Sequence, residues 1–287
     1  MVKRLDIPKS NLRMRRRKRR LIVAAILTSF VLTVFGVVVT FTWLPFVRIQ
    51  TVTVVGQKSV LASDIEQLAQ EELSGGYLYV FAKSNVFLYP KGFIHDKLLH
   101  QYPTFSSVQV RAKNFQTLGV TVVERQPVAL WCGENVASSS GCYVLDETGI
   151  VYAPAAIYSG DAYEKYYGHV TGDSLPQQYL DPLRFHSLSE FVDALQKKGT
   201  ARIQSVAVDE SEDVHLKFDT DFTLIFTLDS ETSDVFNRFE LARTSDVFKT
   251  HKVSDFEYLD LRFGDKLYYK LKYQAGSTST KAVSKPK

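Results

Sequence analysis

Residues 21–44, LIVAAILTSFVLTVFGVVVTFTWL, run for 24 positions without one ionisable side chain. As a helix rising about 1.5 Å per residue, such a run reaches about 36 Å, enough to cross a hydrocarbon core about 30 Å thick with some tilt. Lipid offers no partner to a bare peptide group, so a segment of this composition must close its backbone bonds internally. The hydroxyls of Thr28, Ser29, Thr33, Thr40 and Thr42 can bond back to helix carbonyls. Trp43, with Phe41 and Phe46 beside it, suits an aromatic belt at the far interface, and Pro45 ends the helix. A cleaved signal peptide has a shorter apolar core, about 7–15 residues, and small residues at its cleavage site. The run here is longer, and Thr42-Trp43-Leu44-Pro45-Phe46 offers no such site. The segment reads as a retained anchor.

Charge is distributed around this run so as to give it a direction. Residues 1–20 carry ten Lys/Arg against one Asp, a net +9, whereas residues 45–287 carry 25 against 30, a net −5. The overall +4 describes neither part and makes no case for nucleic acid. Arg13, Arg15, Arg16, Arg17, Lys18, Arg19 and Arg20 abut the apolar run, an arrangement that holds the N-terminus in the cytoplasm and places the following residues outside. A basic run also suits nucleic acid. Its position against the membrane favours topology and contact with anionic lipid. No second stretch is long enough to span. The expected topology is single-pass in the cell membrane, with a basic cytoplasmic tail at 1–20 and a transmembrane helix at 21–44.

Beyond the anchor, residues 47–55 (VRIQTVTVV) are β-rich and stop at Gly56. Ser63-Asp64-Ile65-Glu66 has the capping-box pattern, and Ile65, Leu68, Ala69 and Leu73 follow at helical spacing until Gly75-Gly76. Residues 77–81 form a short aromatic piece that reads as extended. Phe93, Ile94, Leu98 and Leu99 predict a second helix between Pro90 and Pro103. Val108 and Val110, then Leu118, Val120 and Val122, alternate as strands do. The predicted order over residues 46–124 is β-α-α-β-β.

Residues 125–273 read as a mixed, β-rich domain with helices, giving an α+β chain. Ser187-Leu188-Ser189-Glu190 repeats the capping box ahead of an apolar face of Phe191, Val192 and Leu195. Residues 203–208, 214–218 and 222–228 predict strands, the last with Phe222, Leu224, Phe226 and Leu228 on one face. Residues 233–248 predict one helix. Residues 256–263 and 266–273 predict a hairpin across Gly264-Asp265, a pair suited to a two-residue turn. From residue 274 the chain reads QAGSTSTKAVSKPK, which supplies no core and is predicted to be a disordered C-terminal tail.

Three strings carry a resemblance: IQTVTVVG at 49–56, VTVVERQPVA at 120–129 and YVLDETGIVY at 143–152. Their order and spacing behind a basic-flanked anchor resemble the FtsQ/DivIB family of bacterial cell-division proteins, over roughly residues 21–273. The resemblance implies a POTRA domain at 46–124 and a β domain at 125–273. It implies a non-enzymatic scaffold at the division septum, without cofactor, metal or small-molecule substrate. Its implied partners are FtsB/DivIC-like and FtsL-like division proteins and, through them, the septal peptidoglycan synthase complex. A membrane-anchored enzyme acting on peptidoglycan, and a POTRA-type protein handling secreted or membrane substrates, are the alternatives.

Side chains suited to carrying chemistry are sparse. Cys132 and Cys142 enclose nine mostly small or polar residues, and outside the cytoplasm such a pair reads as a possible structural disulfide. It lacks the spacing of a redox CxxC motif or the further ligands of a zinc site. His95, His100, His169, His186, His215 and His251 are scattered, and no HExxH, GxSxG or GxGxxG string occurs. Glu124-Arg125-Gln126-Pro127 reads as a domain junction, with a hinge or partner contact as the second reading.

The terminal hairpin is more informative. Leu267, Tyr269, Leu271 and Tyr273 share one face of its last strand, and Lys266, Tyr268, Lys270 and Lys272 share the other. A strand that ends a sheet exposes unpaired N–H and C=O groups; lysines there discourage stray pairing, and a partner strand can add to them. The family resemblance favours the second role. Asp260-Leu261-Arg262-Phe263 is similar to the family's Asp-Leu-Arg-Tyr motif, so Arg262 and Phe263 join Lys266–Tyr273 as expected partner contacts.

Overall fold

The computed structural model describes residues 12–136, 141–155, 162–198, 201–264, 266–272 and 281–283. It is a mixed α+β chain that divides into two compact units, Met1–Glu124 and Arg125–Lys287.

In the first unit α1 (Leu12–Thr42) is one helix of 31 residues that begins inside the basic cluster. Lysine and arginine are good helix formers, so the charge does not stop it. Within it Arg16–Thr42 is long and apolar enough to cross a membrane, at a mean hydropathy of 2.7 and with its most apolar window wholly unburied. The hydroxyls of Thr28, Thr33, Thr40 and Thr42 donate to carbonyls one turn back at 2.6–3.0 Å, which removes their cost in an apolar medium.

A 3-10 turn, Pro45–Val47, takes the first part of the segment expected to be strand, because Pro45 fixes its own φ at a turn value. Then follow β1 (Thr51–Val55), α2 (Ala62–Leu73), β2 (Gly76–Tyr77), β3 (Phe81–Ala82), α3 (Lys91–Gln101), β4 (Phe105–Ala112) and β5 (Thr117–Glu124). β5 lies between β1, which runs parallel to it, and β4, which runs antiparallel. Ile65, Leu68, Ala69 and Leu73 of α2 and Ile94 and Leu98 of α3 bury against alternate residues of β4 and β5, among them Val110, Leu118 and Val120. A Cβ at Gly56, whose φ is +96°, would stand 2.1 Å from the Val122 carbonyl oxygen, so only glycine lets β1 turn there.

Two further local expectations fail in this unit. The Ser63 capping box is not made: Leu61 is the N-cap, without a side-chain bond, and the Ser63 hydroxyl sits inside the helix on Asp64 at 3.2 Å. Residues 77–81 are a tight reversal between β2 and β3, with Leu78 and Tyr79 at φ +49° and +61°.

The second unit contains β6 (Pro127–Trp131), β7 (Tyr143–Asp146), β8 (Ile150–Pro154), β9 (Lys165–Tyr167), β10 (Gln177–Gln178), α4 (Pro182–Lys197), β11 (Ile203–Val208), β12 (Asp213–Phe218) and β13 (Thr223–Thr227). After them come α5 (Thr232–Arg243), α6 (Asp246–Thr250), β14 (Phe256–Asp260), β15 (Leu267–Leu271) and β16 (Lys281–Val283). Among the described residues they form one sheet in the order β10-β8-β7-β6-β9-β11-β12-β13-β14-β15-β16. The β6–β9, β9–β11 and β13–β14 pairs are parallel and the others antiparallel. Helices α4 and α5 supply Phe185, Phe191, Val235 and Phe239 to the core beneath it, where Phe191 meets Phe226 edge-on at 5.1 Å. Cys132 and Cys142 are joined by a disulfide that ties the end of β6 to the start of β7.

Here too the helix ends depart from expectation. α4 starts well before Ser187, because the Asp181 carboxylate accepts from the Leu183 and Arg184 N–H groups at 3.1 and 3.2 Å and Pro182 occupies the first turn. The single helix expected at 233–248 is two. The Thr244 hydroxyl bonds the Leu241 carbonyl at 2.8 Å, and Ser245 takes an extended backbone before α6. The hairpin of β14 and β15 exists, but its connection is longer than a two-residue turn: Leu261 donates to the Ile225 carbonyl at 2.8 Å, so the chain follows β13 past the end of β14.

Candidate partner-binding edge

β14 hydrogen-bonds β13 on one side and β15 on the other, with Leu259 opposite Tyr269 and Asp260 opposite Tyr268. The alternation read from the sequence orients β15. Tyr269 is buried, its ring edge-on to Phe256 at 5.7 Å, and Leu267 and Leu271 pack on the same core. Lys270 points the other way and pairs with Glu257 at 2.7 Å; this hydrogen bond outweighs desolvation and raises the lysine pKa. The Lys272 ammonium donates to the Thr220 carbonyl at 2.5 Å. Lys266 is exposed, and Tyr273 lies outside the described residues.

The free edge expected along residues 266–273 is covered over Leu267–Tyr269, and Tyr273 lies outside the described residues. β16 lies antiparallel on β15, with Leu267 opposite Val283, Tyr268 opposite Ala282 and Tyr269 opposite Lys281. Strand β15 is therefore paired on both flanks, and Lys281–Val283 depart from the disordered tail predicted from composition. Three residues of strand inside a polar, Ser/Thr-rich stretch are too few for a period-two pattern, which is why composition missed them.

Arg262 and Phe263 separate into different roles. The Arg262 guanidinium donates through Nε and Nη2 to both oxygens of Asp260, at 2.9 and 2.7 Å, and through Nη1 to Asp213 at 2.6 Å. Its backbone N–H also donates to Asp260, at 3.1 Å. Both carboxylates are nearly enclosed, and these bonds raise the Arg262 pKa, Asp260 foremost. The side chain expected from the family resemblance to be a partner contact thus clamps β12 to the end of β14, as a bidentate fork can. Phe263 is 53% exposed, stacks under the guanidinium at 5.4 Å and meets Tyr268 edge-on at 5.2 Å. Arg262 holds; Phe263 is presented. No local sequence signal points to Asp213, since only folding brings it to Arg262 from 49 positions away.

Glu124 and Arg125 each fasten within their own unit. The Glu124 carboxylate accepts from the Lys58 N–H at 2.6 Å and from the Ser59 N–H and hydroxyl at 2.9 and 2.8 Å. Desolvation acts to raise its pKa, but these donors prevail and lower it. Arg125 donates to Asp146 at 2.5 Å, where both side chains are largely buried.

Among the described residues, no group of three or more His, Cys, Asp or Glu stands close enough to hold a metal ion. Four of the histidines have single acidic neighbours instead: His95 with Asp96, His169 with Glu134, His186 with Glu190 and His215 with Asp209. The chain matches no protein-family model and no curated protein.

Proposed function

We propose that this chain is a single-pass scaffold of the bacterial division machinery. In this reading α1 crosses the cell membrane with its basic end in the cytoplasm, the POTRA-like first unit and β-rich second unit lie outside, and the second unit recruits FtsB/DivIC-like and FtsL-like proteins to the septum. It thereby helps control septal peptidoglycan synthesis. The observation that carries the docking part is the end of the large sheet, where a strand bearing Tyr268 and Lys270 beside an exposed Phe263 is covered, among the described residues, by Lys281–Val283.

The cover is weak on physical grounds. Fixing three residues costs about 3–6 kcal/mol at about 1–2 kcal/mol each. Ladder hydrogen bonds return only about 0.5–1.5 kcal/mol apiece. The balance of backbone pairing is near zero, so a partner strand replaces β16 where its side chains add packing to the ladder bonds along the same rim of β15. Partner docking is then strand exchange, with Phe263 and Tyr268 supplying an aromatic contact at its side.

A fluorescent fusion of the full chain, followed in dividing cells, tests the division role. It is expected to collect at the septum as constriction begins. An even distribution over the envelope throughout division contradicts the reading.

A further inference from the structure

The reversal between β2 and β3 presents the two most exposed large hydrophobic side chains among the described residues of the first unit, Leu78 at 89% and Tyr79 at 96%. Both sit in the left-handed backbone region, which β-carbon-bearing residues seldom adopt, so the turn is held in place by its surroundings. Those surroundings are the apolar helix. The Phe81 ring meets Phe35 of α1 edge-on at 6.1 Å, and the Trp43 indole N–H donates to the Val80 carbonyl at 2.8 Å. Gly76 lets the indole approach: a Cβ there would stand 3.4 Å from the Trp43 ring and 2.9 Å from the Phe81 carbonyl oxygen.

Further bonds lock this segment to the helix end. The buried Asn85 amide donates to the Thr42 carbonyl at 3.2 Å, and the Ile49 and Val86 N–H groups bond Ser84 and Val47 at 2.7 and 2.9 Å. The hairpin therefore has a fixed position along the helix axis. Phe35 lies seven residues before Thr42, about 10 Å down the helix at about 1.5 Å per residue. A ring packed on Phe35 is below the level of Trp43, on the membrane side of an aromatic belt. Just behind the tip the character changes: the Lys83 ammonium lies over the Tyr77 ring at 6.0 Å and the Arg48 guanidinium over Trp43 at 5.5 Å. Apolar tip, aromatic collar and cationic rim follow one another in the order of acyl chain, interface and headgroup phosphate.

We infer that the hairpin Gly76–Ala82 is a second membrane attachment, its Leu78-Tyr79 tip seated in the acyl-chain boundary of the leaflet that α1 leaves, with Arg48 and Lys83 at the headgroups. The occupant of this surface is lipid, because the hairpin is continuous with the apolar surface of a helix that is itself lipid-facing. The inference rests on α1 spanning the membrane. It adds that the first unit is pinned to the bilayer at two points, which fixes its tilt as a lone helix end does not.

The test uses the full chain in phosphatidylethanolamine–phosphatidylglycerol vesicles, with a nitroxide on Tyr79→Cys. Collision with dissolved oxygen reports lipid and collision with a water-soluble nickel chelate reports water. Labels on Ile26→Cys, in the helix, and Leu183→Cys, an 80% exposed side chain of the second unit, are the references. The expected result is a Tyr79→Cys label that resembles the Ile26→Cys label in favouring oxygen. A Tyr79→Cys label in water while Ile26→Cys stays in lipid overturns the hairpin attachment and leaves the helix intact. A label at Ile26→Cys in water overturns the spanning helix and the hairpin with it. A Tyr79→Cys label shielded from both reagents shows a protein contact, a second copy of the chain, and overturns the lipid assignment.

Discussion

Glu124 shows how a single side chain can close a unit. Its carboxylate draws donors from Lys58 and Ser59, 66 and 65 positions away, and so ties the end of β5 to the loop after β1. Because its folded pKa is lowered, the stability it contributes is present above the ordinary carboxylate range and disappears as pH falls through the folded value. Glu124→Gln is expected to destabilise the first unit by about 1 kcal/mol at pH 7, the scale of one charge-assisted hydrogen bond at a partly exposed site. The difference from the parent should begin to shrink as a denaturation series enters the ordinary carboxylate range and should close only below the lowered folded value. A gap that does not change as pH falls through and below that range contradicts the linkage. From sequence the Glu-Arg-Gln-Pro string was legible as a junction, because proline and paired charges at a strand end are local signals. The partners of Glu124, like the Asp213 partner of Arg262, were not, since nothing near either residue encodes a contact made only on folding.

At the scale of elements, the strands and helices with clean periodicity were the legible part, and their ends were not. The apolar positions of α2, Ile94 and Leu98 of α3, and the buried row of Phe222, Leu224 and Phe226 follow from spacing alone, whereas Phe93 of α3 turns out 58% exposed. The caps do not. Ser187-to-Glu190 satisfies the same pattern as a true cap, but Asp181-Pro182 starts the helix one and a half turns earlier and the serine becomes an interior residue. The hairpin differs from its sequence signal in a related way: Gly264-Asp265 looks like a turn, whereas pairing of Leu261 with Ile225 and the Arg262 clamp lengthen the connection. That clamp gives Arg262 and Phe263 opposite signatures. Arg262→Ala leaves two enclosed carboxylates facing each other's charge and is expected to cost about 2–3 kcal/mol, below the full penalty for a buried pair because the arginine is partly exposed. Phe263→Ala removes an exposed ring and is expected to change stability by about 0.5 kcal/mol or less. Partner binding should fall in Phe263→Ala without loss of stability, and thermal denaturation beside a binding titration separates the two. Equal destabilisation by both substitutions contradicts the division of roles.

For the whole molecule, an N-terminal helix long and apolar enough to cross a membrane and the α+β character were legible because a 24-residue uncharged run and alternating strands are properties of composition and period. The state of the sheet edge was not, because it depends on which distant segment reaches it. A polar tail that composition marks as unstructured supplies Lys281–Val283 to β15, which turns an open docking rim into a covered one. The central claim is that a partner strand takes the place of this cover. The most direct measurement uses Tyr268→Cys with Ala282→Cys, whose parent residues stand opposite each other across β15 and β16. Binding of the full chain to the extracytoplasmic segment of an FtsB/DivIC-type protein is titrated with the engineered pair oxidised and then reduced, beside the parent chain under the same reductant to account for Cys132–Cys142. Strand exchange predicts that the oxidised lock weakens binding by about tenfold or more, about 1.4 kcal/mol, and that reduction restores it while leaving the parent unchanged. Equal binding by the locked and unlocked forms would show that the partner docks elsewhere.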